Sequence, residues 1–138
     1  MASIWLPSGL VITSLSVKNG GTAEAGGTHA WAALFDSSRA LLRQSNDETG
    51  AAAIAASVVH SFILTSTFTT TYSGIHYVGV CVVATTMPTL LGHPSTAAGV
   101  NDIAPVVGGN STTGLTDTAP NPAAAITGQA SNFYYYVS

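Results

Sequence analysis

Four histidines, six carboxylates and one cysteine are the residues of this chain that could carry proton or metal chemistry. His29, His60, His76 and His93 stand far apart, without the close spacing that lets neighbouring ligands reach one ion. No acid sits beside them in a metal-site pattern, so they read as structural or surface histidines. Asp47 and Glu48 are adjacent, but a two-carboxylate hydrolase needs a second, distant acid, and Asp36, Asp102 and Asp117 are the only other aspartates. The pair reads as part of a solvated loop. Cys81 stands between Val80 and Val82, which favours a buried, inert thiol, and a single cysteine forms no disulfide within the chain. There is no G-x-S-x-G elbow and no glycine-rich phosphate loop ending in Lys-Ser/Thr. The residues therefore assign no catalytic, metal or cofactor position, and the chain is expected not to be an enzyme.

Recognition through aromatic side chains is the remaining chemistry. Trp5, Trp31, Tyr134, Tyr135 and Tyr136 could stack on sugar rings or anchor a protein interface, where aromatic residues concentrate binding energy. Consecutive tyrosines in a strand point to opposite faces, so at least one of Tyr134, Tyr135 and Tyr136 must turn away from the local core. Trp5, Tyr134, Tyr135 and Tyr136 are the candidate contacts, for core or subunit interface first and for a glycan second.

The elements that must hold these residues are β-strands. Leu10 to Lys18 alternates with period two, placing Val11, Thr13, Leu15 and Val17 on one face and Ile12, Ser14, Ser16 and Lys18 on the other. Asn19 to Thr28, broken by Gly20-Gly21 and Gly26-Gly27, reads as a loop. His29 to Phe35 and Ala40 to Gln44 form a hairpin about Asp36-Ser37-Ser38-Arg39. Asn46 to His60 supports either one short helix, through its alanine run, or an extended loop, through Val58-Val59. Ser61 to Thr71 is rich in β-branched residues. Ile75 to Thr86 is apolar on both faces, which places it centrally in a covered sheet or at a subunit interface. Met87 to Pro122 lacks periodicity, and Ala130 to Val137 is a terminal strand. The fold class is all-β, an antiparallel β-sandwich or jelly roll, in one domain over 1–138 with 1–9 and 87–122 as extended arm and loop segments.

Composition narrows the function classes. Only 7% of the 138 residues are charged, three Lys+Arg against six Asp+Glu, where folded domains carry about a quarter. A net charge of −3 argues against a nucleic-acid partner, which calls for a basic face. Mean hydropathy is +0.38, yet the longest apolar run, Ile75 to Ala84, is about half of a membrane span, so no membrane partner is expected. No basic leader precedes Leu10 to Val17, and the sequon Asn110-Ser111-Thr112 is therefore read as coincidence. So weakly charged a surface has poor colloidal stability unless other subunits cover it.

Two stretches carry a resemblance. ALFDSSRALLRQSNDETG, beginning at Ala33, and FILTSTFTTTYSGIHYVGVCVVATTMPTL, ending at Leu90, are similar to a module of structural proteins in tailed bacteriophages infecting actinobacteria. Phe35 to Arg39 and Tyr72 to Tyr77 match well, and His76 departs where an aromatic residue is common. The resemblance covers less than half of the chain. It implies a non-enzymatic virion component with a β-sandwich fold and no cofactor, packed as a homo-oligomer, with threefold symmetry the first expectation, against major capsid or tail proteins. Lacking a fibrous stalk, the chain is expected to decorate or stabilise the head. The alternative is a minor tail or fibre-type module that binds host-surface glycan.

Overall fold

The computed structural model describes residues 1–48, 54–94, 109–110, 114–128 and 131–138. Its main strands are β1 (Ala2–Leu6), β2 (Val11–Lys18), β3 (Ala25–Phe35), β4 (Leu41–Gln44), β5 (Val59–Thr69) and β6 (Gly74–Thr86). Short strands follow: β7 (Gly92–Pro94), β8 (Gly109–Asn110), β9 (Thr127–Gly128), β10 (Ser131–Phe133) and β11 (Tyr135–Val137). The four-stranded sheet runs β1-β6-β3-β4, the three-stranded sheet runs β11-β2-β5, and β10 pairs with β7 and β8 with β9. All pairings are antiparallel. The fold is an all-β antiparallel sandwich, and the described residues contain no helix. Within Asn46 to His60, residues 49–53 lie outside the described ones, and Asn46 to Glu48 and Ile54 to His60 are not helical.

The core between the sheets comes from alternation. Ala30, Ala32 and Leu34 of β3 and Val78 of β6 meet Leu15 and Val17 of β2 and Phe62 of β5, all 0 or 1% exposed. Burying side chains such as Phe62 and Leu15 contributes about 1.5–3 kcal/mol each. β2 departs from the period-two reading at one point. Ile12 pairs with Phe68 but Ser14 pairs with Ile63, so β5 carries a wide irregularity opposite Thr13. The shift turns Ile12 into the core and leaves Val11 exposed, because a bulge reverses which residues face inward. At the same place Leu64 bridges to Ser45 and the Thr65 hydroxyl donates to the Gln44 carbonyl at 3.0 Å. β5 thereby closes one seam of the sandwich against the end of β4.

Of the two readings of Ile75 to Thr86, the structure takes the central one. β6 lies between β1 and β3, and its second face is covered by the chain itself from Ile75 to Cys81, while Val83 further along is exposed. Trp31, Ala33 and Phe35 of β3, with Tyr77 and Cys81 of β6, form a second cluster capped by Ala119 and Ala123. The capping segment is held by side chains. Trp31 Nε1–H donates to the Thr116 carbonyl at 2.6 Å, and the Gln44 amide donates to the Asp117 carbonyl while accepting from the Ala119 N–H, both at 2.6 Å. Residues 114–122 of the expected loop 87–122 are thus a strap over this sheet, whereas 95–108 and 111–113 lie outside the described residues. The expected arm 1–9 is corrected too. Ala2 to Leu6 pairs in full register with Gly74 to Val78, and Ala2 and Leu6 are buried, so apolar burial holds this stretch in the fold.

Candidate functional site

The structure separates the four aromatic candidates. Trp5 pairs with Ile75, which packs on the strap-covered cluster, so Trp5 lies on the outer face of the four-stranded sheet, 60% exposed. Tyr135 pairs with Val17 and packs on the inter-sheet core, its hydroxyl donating to the Ser3 carbonyl and its phenol pushed above the usual range by burial. Tyr134 and Tyr136 turn the other way, 49% and 53% exposed, on the outer face of the three-stranded sheet. Of the four, only this pair shares a face.

That outer face is laid out in rows across the strands. Tyr136 stands opposite Ser16 and Ser16 opposite Ser61, while Ser14 stands opposite Ile63 and Lys18 opposite Val59. Ile63 and Val59 are exposed. The floor between the tyrosines and the β5 residues consists of serines whose hydroxyls already bond one another. Ser16 Oγ lies 2.7 Å from Ser61 Oγ, and Ser14 Oγ lies 2.7 Å from Ser138 Oγ. Lys18, the one charged residue of these rows, donates from Nζ to the Ser57 carbonyl at 2.9 Å.

A second constellation escapes the sequence reading because its partners lie 18 and 12 residues apart. His29 Nδ1 lies 2.6 Å from Asp47 Oδ2, and His60 Nε2 lies 2.8 Å from Glu48 Oε2. Asp47 and Glu48 are not the solvated loop expected of them. They run alongside β3: the Asp47 Oδ1 accepts from the Ala30 N–H, the Glu48 N–H donates to the Ala30 carbonyl, and the Ser45 N–H and Oγ satisfy both backbone groups of Ala32. Side-chain oxygens here replace ladder carbonyls, which meets the hydrogen-bonding need of buried strand backbone. Nearby Glu24 is buried, and its Oε2 has no hydrogen-bond partner. Burial pushes its carboxyl up; His60 opposes and Glu48 reinforces the shift. Its Oε1 occupies the space beside Gly27, where a Cβ would stand 1.4 Å away, so a side chain there would have to displace the Glu24 carboxylate.

Chemically, this constellation does little beyond pinning the connection from β4 to β5. Among the described residues, neither histidine pair is hydrogen-bonded to a hydroxyl or thiol that could serve as a nucleophile. Among the same residues, no three His, Cys, Asp or Glu side chains are grouped to hold a metal ion. Cys81 is buried, its thiol pushed up to about 11 by burial and then by Asp47, so the thiolate is scarce at neutral pH. His76, wholly buried, donates from Nδ1 to the Gly74 carbonyl at 3.0 Å and stacks on Tyr72 with ring centroids 4.4 Å apart. His93 lies in β7, and its side chain is outside the described ones.

The fold is an all-β sandwich in which the outer face of the three-stranded sheet is open and sparsely charged among the described residues. No family model matches the chain, and no curated protein or solved structure matches it.

Proposed function

We propose that this chain is a non-enzymatic structural subunit of a virus particle, placed on the head surface and acting by packing against copies of itself and neighbouring particle proteins. The observation that carries the reading is the outer face of the three-stranded sheet. Tyr134, Tyr136, Val59 and Ile63 are exposed there around serines that satisfy one another. Each serine hydroxyl oxygen of that floor already has a partner, and an unpaired buried polar group would cost about 1–3 kcal/mol. The scarcity of charge over the whole chain and the phage-like motifs at Phe35 to Arg39 and Tyr72 to Tyr77 support the same reading. Quantitative mass spectrometry of purified particles, with antibody-gold microscopy, tests it: many copies on the head are expected, and absence from particles overturns it.

The alternative is host-glycan binding by a minor tail or fibre-type module. It is favoured by one observation, that Tyr134 and Tyr136 stand two residues apart on a single open face, a spacing suited to stacking on successive sugar rings. Tyr134→Ala with Tyr136→Ala separates the readings. Lost cell adhesion with intact particles favours the glycan, whereas intact adhesion removes it.

A further inference from the structure

The two sheets have unequal edges. β5 is closed onto the end of β4 by the Ser45–Leu64 bridge and the Thr65 hydroxyl, which leaves β11 as the outer strand of the three-stranded sheet. Its hydrogen bonds to β2 alternate. The Lys18 N–H donates to the Tyr134 carbonyl at 3.3 Å, and Ser14 and Ser138 exchange bonds of 2.8 and 3.2 Å, so in the same register Tyr136 turns its backbone groups to Ser16. Tyr135 and Val137 therefore turn theirs outward, as alternate residues of an antiparallel strand must. Neither has a backbone partner on that side among the described residues.

Natural edge strands are guarded by lysine, proline, bulges or a covering element. From Ser131 to Ser138 this chain has no charged residue and no proline. We infer that β11 pairs antiparallel with β11 of a second copy of this chain, across a two-fold axis at Tyr136, joining two three-stranded sheets into one of six strands.

The register follows from the groups on offer. Tyr135 and Val137 flank Tyr136, so Tyr135 of one copy exchanges both backbone bonds with the partner's Val137, and Val137 does so with the partner's Tyr135. Tyr136 then faces the partner's Tyr136 on the outer face, where both rings are half exposed and an offset stacked pair is favourable. A strand that is its own complement makes an isologous interface. Having no charged side chain, it sets no like-charged side chains against each other when it faces itself. The pairing rests on the fold alone and not on the virion reading, since particle copy number is measured separately.

Sedimentation equilibrium of the full chain over a concentration series is the test, with three variants. Wild type is expected to approach twice the chain mass of 13.9 kDa. Tyr136→Lys, which sets two ammonium groups against each other on an exposed face, is expected to lose the two-chain species while keeping its far-ultraviolet dichroism. Tyr136→Cys reads the register, because Cα atoms of a non-hydrogen-bonded antiparallel pair lie about 4.5 Å apart, within reach of a disulfide. It is expected to cross-link under oxidation, whereas Tyr134→Cys, displaced from the axis, is not. A single-chain mass throughout the series, a three-chain mass, or equal cross-linking at both positions overturns the inference.

Discussion

Glu24 is held in the folded chain against its own charge. Burial raises its carboxyl above the ordinary 4.5, so the folded chain binds this proton more tightly than the unfolded chain does. Between the two values the native state carries more protons, and stability falls as pH rises through that window. Above it the penalty is complete. Glu24→Gln keeps the shape and removes the charge. It is expected to raise unfolding stability at pH 7 to 8, with the gain vanishing in acid below the ordinary value. Urea unfolding at neutral and acid pH checks this; a gain that persists in acid would show that charge is not the cause. Nothing in the sequence singled out Glu24. Its burial depends on Ile54, whose carbonyl accepts the Glu24 N–H, and on the missing side chain at Gly27, which local patterns do not connect.

At the scale of elements, the β3–β4 hairpin shows what is legible locally. Asp36-Ser37-Ser38-Arg39 reads as a turn because a short acid can bond the backbone just ahead of it. In the structure the Asp36 Oδ1 accepts from the Ser38 N–H, the Ser38 hydroxyl and the Ala40 N–H, and Arg39 takes the left-handed conformation at φ 70°. Tyr72 joins the Tyr72 to Tyr77 stretch to the Phe35 to Arg39 turn, its hydroxyl accepting from the Ser37 N–H and donating to the Ile75 carbonyl. The two stretches therefore build one corner of the fold, where His76 stacks on Tyr72. Burial pushes the Asp36 carboxyl up, but the hydrogen bonds from Ser38 and Ala40 and the nearby His76 outweigh it and hold it below the ordinary 3.8. The stability this lends is present above the ordinary value and is lost as pH falls through the lowered one. Asp36→Ala is expected to cost about 1–2 kcal/mol at pH 7 and less near pH 3, read by urea unfolding. An equal loss at both values would assign the cost to turn geometry alone. β2 shows the opposite case. Its alternation is plain, yet the irregularity opposite Thr13 inverts the face of Ile12, and the residues that cause it belong to β5.

For the whole molecule, the chain's two ends are woven into it. β1 pairs with β6 some seventy residues later, and β11 pairs with β2, from the opposite end of the sequence. That closure could not be read locally, because Met1 to Gly9 lacks the long alternation that marks β2, and its partner is chosen by tertiary packing. It changes what a truncation means. Removing residues 1–9 takes away buried Ala2 and Leu6 and leaves Gly74, His76 and Val78 of β6 without the strand they pair with, His76 and Val78 being wholly buried. Leu6→Ala alone is expected to cost about 2–5 kcal/mol. A domain of this size has about 5–15 kcal/mol in all, and the truncation adds unpaired backbone to that loss. The chain lacking residues 1–9 is therefore expected to show no cooperative thermal transition by far-ultraviolet dichroism, with Leu6→Ala melting cooperatively at a lower temperature. A truncated chain that melts cooperatively within a few degrees of the full chain would return β1 to the status of a dispensable arm.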